Sequence, residues 1–338
     1  MKLSDVVSGP WAITPEMLIE IQGIYARHIK GETVDLASLA ARIGKPLSGG
    51  NKSISSTVNG VTVIDIQGAI AKKINILSDV SGGCSSQLVS AVFTNAVNDP
   101  AVKGIIINID SPGGTVDGTS ELADSIYQAR GAKPVVAFSD GMIASAAYWI
   151  ASACDSIYIS GDTNPIGSIG VVSAHRDYSG YESQQGIKVT EITAGSYKRV
   201  ASSHEPLNTE GKADIQSKVD FLYGVFVDAV ARNRGTSSRR VLADMADGRV
   251  FLGKQSIKAG LVDGVSTLPK IIADMQAGQV KHRPVAQVIA RQPVISNAAF
   301  TTILALKDIK PAQAPPAKED PAERQRIIAM IADGAGTH

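Results

Sequence analysis

Apolar and polar positions along the chain change period from block to block, and each period predicts a different element. Thr14 and Pro15 form a helix start signal, a capping hydroxyl followed by proline at the first helical position. Met17, Leu18, Ile21 and Ile24 then recur at helical spacing, which predicts a helix over 13–43. "PLSGGNKSISS" (46–56) is rich in glycine and serine and reads as a linker. From Val61 the period shortens: "VTVIDIQ" (61–67) alternates and is β-branched, hence a strand. Residues 85–99 read as helix, and "GIIINID" (104–110) is a continuous apolar run of the kind that marks a buried strand. The pattern then predicts a helix (117–130), a strand (134–140), a helix (143–153) and two strands (156–160 and 188–194). Helices over 208–233 and 236–246 follow, then a short helix ending at Gly260 and an edge segment. Strands alternating with helices imply an α/β domain around a largely parallel sheet.

After about residue 275 the periodicity degrades. "KPAQAPPAKEDPAERQ" is Pro/Ala-rich and charged, which predicts a disordered linker. Asp320 and Pro321 then start one short amphipathic helix. Three parts are therefore expected: an N-terminal helical segment and linker (1–50), a main domain (57–270), and a tail (276–338).

Composition narrows the functional classes. The 338 residues are 44% hydrophobic and 19% charged, with a formal net charge of +1, so there is material for a core. There is no electrostatic reason to expect nucleic acid or an anionic membrane as partner. Two cysteines, Cys84 and Cys154, with no CxxC pair, argue against a disulfide framework or a zinc site and suit a reducing compartment. No long apolar N-terminal run and no stretch of about 18 uninterrupted apolar residues occur, so neither a secretory signal nor a membrane span is expected.

Two stretches carry candidate chemistry. "DSPGG" (110–114) follows a buried strand; its proline and glycines permit a tight turn with exposed backbone N–H groups, which an oxyanion hole requires. "GMIASAAYWIASA" (141–153) holds Ser145 at the start of a small-residue helix, near unpaired N–H groups. There is no G-x-S-x-G, so an α/β-hydrolase elbow is not indicated. A serine nucleophile needs a base. His175 or His204, with Asp110, Asp140 or Asp177 as orienter, is one option; Lys198 in "AGSYKRVASS" is another. A lysine serves only when neutral, which requires its pKa to fall two or three units from about 10.4 through burial.

Together the stretches resemble the signal peptide peptidase A family of Ser–Lys serine proteases, and within it the phage capsid-maturation branch. The resemblance rests on "IIINIDSPGGTV" (105–116), "ASAAYWIASACDSIYIS" (144–160), "GSIGVVSAH" (167–175), "ITAGSYKRVASSHEPL" (192–207) and "DGRVFLGKQSIKAGLVDGV" (247–265), in that order over roughly residues 57–270. It implies a Clp-protease/crotonase fold, repeated β-β-α turns assembling into homo-oligomeric rings. It implies Ser145 as nucleophile, Lys198 as general base, Gly113 and Gly114 as oxyanion donors with the Ala146 amide as a second donor, and Ser168 as the residue that orients the lysine. No metal or cofactor is implied. The implied substrates are scaffold, capsid or portal proteins, in the host cytoplasm or the prohead interior. "GSYKRVASSHEPL" departs from the family's common Val-Asp-Gly after the lysine, which bears on substrate contacts at 199–203. The competing readings are an acyl-CoA enzyme on the same fold, a catalytically silent assembly scaffold, and a bacterial quality-control protease of the signal-peptide-peptidase type.

Overall fold

The computed structural model describes residues 9–29, 53–73, 83–280 and 282–283. Most of the predicted linker and nearly all of the predicted tail lie outside them, as do residues 30–43 of the predicted first helix, which is seen as Pro15–Ile29.

A six-stranded sheet forms the centre, in the order Gly264–Val265, Ser156–Ile159, Val135–Ser139, Gly104–Asp110, Val61–Gln67 and Ser55–Val58. Every pair is parallel except the last. That antiparallel pair is a hairpin closed by Asn59 and Gly60, at φ 51° and 82°. Positive φ at both loop residues is what a type I′ turn requires, and Asn-Gly supplies it. The strand Ser55–Val58 thus replaces the end of the predicted linker.

The isoleucine run at 104–110 is buried because both faces of the sheet are covered. Ile105, Ile107 and Ile109 join the main core with Phe93, Leu122 and Trp149. Ile106 faces the other way, into a second cluster with Val61, Val136, Ile271 and Met275. The last two belong to a helix, Leu268–Gln276, capped by Thr267, which the sequence pattern did not predict.

After each long strand the chain makes a short strand and then a helix. Val61–Gln67 leads through Ile70–Ala71 and Cys84–Ser85 to helix Ser86–Asn98; Gly104–Asp110 through Gly113–Thr115 to Thr119–Gln128; Val135–Ser139 through Ile143–Ala144 to Ala146–Ser152. This is the expected β-β-α repeat of the Clp-protease fold. The short strands build two further sheets. One has the order Trp11–Ile13, Gly113–Thr115, Ile70–Ala71, Cys84–Ser85; the other Val250–Leu252, Pro165–Gly167, Ile143–Ala144.

The stretch 188–194, predicted as a strand, is irregular and lies on the surface. Val189 and Ile192 lie three residues apart, so they share no strand face, and among the described residues no strand is paired with them. The long helix is present as Thr209–Arg234, capped by Asn208 and ended by Gly235 in the left-handed region. Both cysteines are buried and free; burial pushes the Cys84 thiol up to about 12 and raises that of Cys154 as well.

Candidate active site

Ile143–Ala144 pairs with Ile166–Gly167, so these two residues are strand rather than the predicted first turn of the helix. The helix begins at Ala146. Ser145 is the single residue between strand and helix, and it holds φ 52° and ψ −116°. A non-glycine residue there costs of order 1–3 kcal/mol and stays only where its surroundings impose it. Backbone imposes it here: Ser145 N–H donates to the Gly167 carbonyl at 2.7 Å, and Ala144 N–H to the Ser111 carbonyl at 3.1 Å. The turn from strand to helix is sharp and strained, as a nucleophile elbow is, without the G-x-S-x-G sequence.

The helix behind Ser145 is wholly buried and tied at both ends. At its far end the Arg130 guanidinium donates to the carbonyls of Ser152, Ala153 and Cys154 at 3.0, 2.8 and 2.6 Å. A cation on those last carbonyls satisfies groups that the helix leaves unpaired. Trp149 stacks on Phe226 with ring centres 4.5 Å apart, and Tyr148 donates to the Leu261 carbonyl at 2.9 Å. The turn at 145 is therefore held on a rigid platform. Nothing in sequence spacing pointed to Arg130.

Gly113 lies against this turn. A side chain there would sit 3.0 Å from the Ser145 Cβ and the Ala144 carbonyl oxygen, and would collide with the Ala12 carbonyl; its φ of 105° also favours glycine. The Gly113 N–H donates to the Ser111 hydroxyl at 3.2 Å, and that hydroxyl donates to the Gly68 carbonyl at 2.7 Å. Ser111 is thus a positioning residue within the quoted motif that the sequence reading passed over. Gly114 backs onto the Ile70 backbone with no room for a Cβ. Gly114→Ala is expected to lower stability by about 1–3 kcal/mol through overpacking against backbone that cannot yield, read as a lower urea midpoint.

The remaining predicted site residues divide. Ala146 is the first helical residue, so its N–H has no intrahelical acceptor. Ser168 is buried at φ 51°, directly after Gly167, and its N–H donates to the Arg249 carbonyl at 2.8 Å. The Ser145 hydroxyl makes one long hydrogen bond, to the Gly170 carbonyl at 3.4 Å. Ser145, Gly113, Gly114, Ala146 and Ser168 are accordingly gathered at one place. Lys198 is not among them. It lies exposed in the short 3₁₀ turn Ser196–Lys198, next to Tyr197, which is 62% exposed.

The histidines are engaged elsewhere. His175 Nε2 lies 3.0 Å from the Ser202 carbonyl, and His204 Nδ1 lies 2.7 Å from a Glu182 carboxylate oxygen. Of the possible orienters, Asp110 accepts from the Met142 N–H at 3.1 Å and Asp177 from Ser179. The Ser/His/Asp option is therefore not assembled among the described residues. Within those residues no cluster of His, Cys, Asp or Glu side chains is placed to hold a metal ion, and no helix is long and apolar enough to cross a membrane.

Comparison with known proteins gives the family. The family description "Peptidase family S49" matches residues 128–282, and "Clp protease" matches residues 59–158. "Head-tail preconnector protein GP5" of Enterobacteria phage P21 is 33% identical over 231 residues, 68% of this chain and 46% of that protein. "Capsid assembly protease C" of Escherichia phage lambda is 33% identical over 206 residues, 61% of this chain and 46% of that protein. The Synechocystis sp. protein slr0021 is 31% identical over 213 residues, 63% of this chain and 72% of that protein. The chain spans about half the length of the first two of these relatives. On the combined evidence of these matches, the chain belongs to peptidase family S49.

Proposed function

We propose that the chain is a serine endopeptidase whose dyad, Ser145 and Lys198, is completed between neighbouring copies, and that it cleaves proteins of a phage head during assembly. The observation that carries the chemistry is the strained backbone at Ser145, held by hydrogen bonds to two other segments beside a glycine whose missing side chain lets an extended backbone, here that of Ala12, lie close. A serine used as helix filler has no need of φ 52°. In this reading Ser145 attacks the scissile carbonyl and gives its proton to a neutral Lys198. The oxyanion is received by the Ala146 N–H and the Gly113–Gly114 backbone, the Gly113 N–H first giving up its bond to the Ser111 hydroxyl. The protonated lysine then donates to the leaving amine, and water hydrolyses the acyl-enzyme.

The placement of Lys198 supports a dyad shared between copies. A lysine base must leave water, and nothing in the chain's own described fold covers it. The exposed apolar side chains of Tyr181, Ile187, Ile192, Tyr197 and Phe221 offer a surface on which a second copy can do so. A closed ring of copies in head-to-tail contact is the arrangement this predicts. The substrate assignment rests on the two phage relatives, whose names place them in head assembly. Co-expression with candidate capsid, scaffold and portal proteins, followed by mass spectrometry, tests it. Discrete cuts that vanish with Ser145→Ala support the reading, and intact partners beside an enzyme that cleaves other proteins contradict it.

A further inference from the structure

The strand Trp11–Ile13 lies along the glycine turn that packs against Ser145. On one side it pairs antiparallel with the Gly113–Thr115 strand, in the register Trp11↔Thr115, Ala12↔Gly114, Ile13↔Gly113. On the other side Trp11 and Val172 exchange two backbone hydrogen bonds, each 2.8 Å. Beyond the strand, Thr14 N–H donates to the Pro112 carbonyl at 3.0 Å. The segment is thus a middle strand between two rims, one from the oxyanion turn and one from the stretch after Ser168. Its direction carries Ala12 and Ile13 toward the nucleophile: the Ala12 carbonyl and the Ser145 Cβ both press on the space left empty at Gly113. An extended peptide added to exposed strand edges takes its affinity from such main-chain bonds and its selectivity from alternate side chains.

Taking Ser145 as the nucleophile, as proposed above, we infer that Trp11–Ile13 is a resident peptide in the substrate groove, so that the chain blocks its own site until this segment leaves. The energetics allow departure. Trp11 and Ile13 pack with Leu18, Ile21 and Ala69 in a small cluster apart from the main core, and of the three strand residues Ala12 alone reaches that core. The buried Trp11 indole N–H has no partner among the described residues, so the fit is incomplete. The same segment describes the substrate class. The groove takes an extended peptide with a small side chain at the position of the buried Ala12, whose carbonyl lies against Gly113, and larger apolar side chains on either side of it. Its own strand and a substrate exclude each other, because both need the same backbone partners.

The test uses the full-length chain. Ala12→Arg puts a charged side chain where there is no room, and so expels the segment; circular dichroism checks that the rest stays folded. Hydrolysis of a peptide substrate should rise about tenfold or more over wild type, the factor by which a groove open one tenth of the time lowers apparent affinity. The free peptide GPWAITPE (residues 9–16) should compete with substrate in Ala12→Arg, and only weakly in wild type. A second arm needs no catalysis. In full-length Ser145→Ala, saturating labelled GPWAITPE should bind and speed hydrogen exchange at the Trp11 amide. If that peptide binds and exchange speeds while no variant hydrolyses anything, the peptidase reading fails and the resident strand stands. If Ser145-dependent hydrolysis is equal in wild type and folded Ala12→Arg, and Trp11 exchange is unmoved by peptide, the inference is overturned and the peptidase reading stands. A cut between residues 12 and 14 of the wild-type chain would make the segment a substrate, and would overturn it too.

Discussion

Ser145→Ala is expected to abolish peptide hydrolysis, by on the order of 10⁴-fold or more, because no other hydroxyl can take over the covalent step. The folded state should hardly notice. The lost hydroxyl makes one long bond, 3.4 Å to the Gly170 carbonyl, and a methyl group fits the same fully buried position. A stability change within about 1 kcal/mol is expected. Parallel kinetics and urea unfolding separate the two effects. Near-normal hydrolysis by the folded variant would remove Ser145 from the mechanism, whatever the geometry of its turn.

Lys198→Arg is expected to be as inactive as Ser145→Ala, and for a different reason. Arginine keeps the positive charge and comparable length but stays protonated, so it cannot accept the serine proton. Lys198 is exposed in its 3₁₀ turn, so the exchange leaves the fold untouched. If the base were histidine, Lys198→Arg would retain activity and His175→Ala or His204→Ala would lose it. Both histidines bond to groups away from Ser145, so the two alanine variants should keep most of the rate. Steady-state kinetics on the three proteins decides the base.

What was legible in the sequence follows the length and period of each element. The runs at 61–67, 104–110 and 135–139 are buried on both faces or alternate cleanly, and each becomes a strand of the central sheet. The short strands carry two or three residues each, too few for any period. Ile143–Ala144 therefore merged with the helix after it, and Ile13 with the helix expected from residue 13, while Trp11 and Ala12 fall in no predicted element. The Asn59-Gly60 turn did carry a local signal, masked by the glycine- and serine-rich stretch before it. Helix Leu268–Gln276 lay where the periodicity was fading, although Thr267 and Pro269 mark its start. At the site, Ser145, Gly113 and Ser168 stood in recognisable contexts. The positive φ values that make a turn of them depend on backbone partners distant in sequence. Arg130 and Ser111, which hold the platform and the glycine turn, stand in no spacing that chemistry could flag.

The central claim is a dyad shared between copies, and mixing two inactive variants tests it most directly. Ser145→Ala and Lys198→Ala are each expected to be inactive alone. Unfolded together and reassembled at equal amounts, they form contacts in which an intact serine meets an intact lysine with a chance of roughly one quarter, as random head-to-tail closure dictates. Recovery of about that fraction of wild-type activity, rising and falling with the mixing ratio, is the result expected. A mixture that stays inactive at every ratio, or a purified monomer with full activity, would contradict the account.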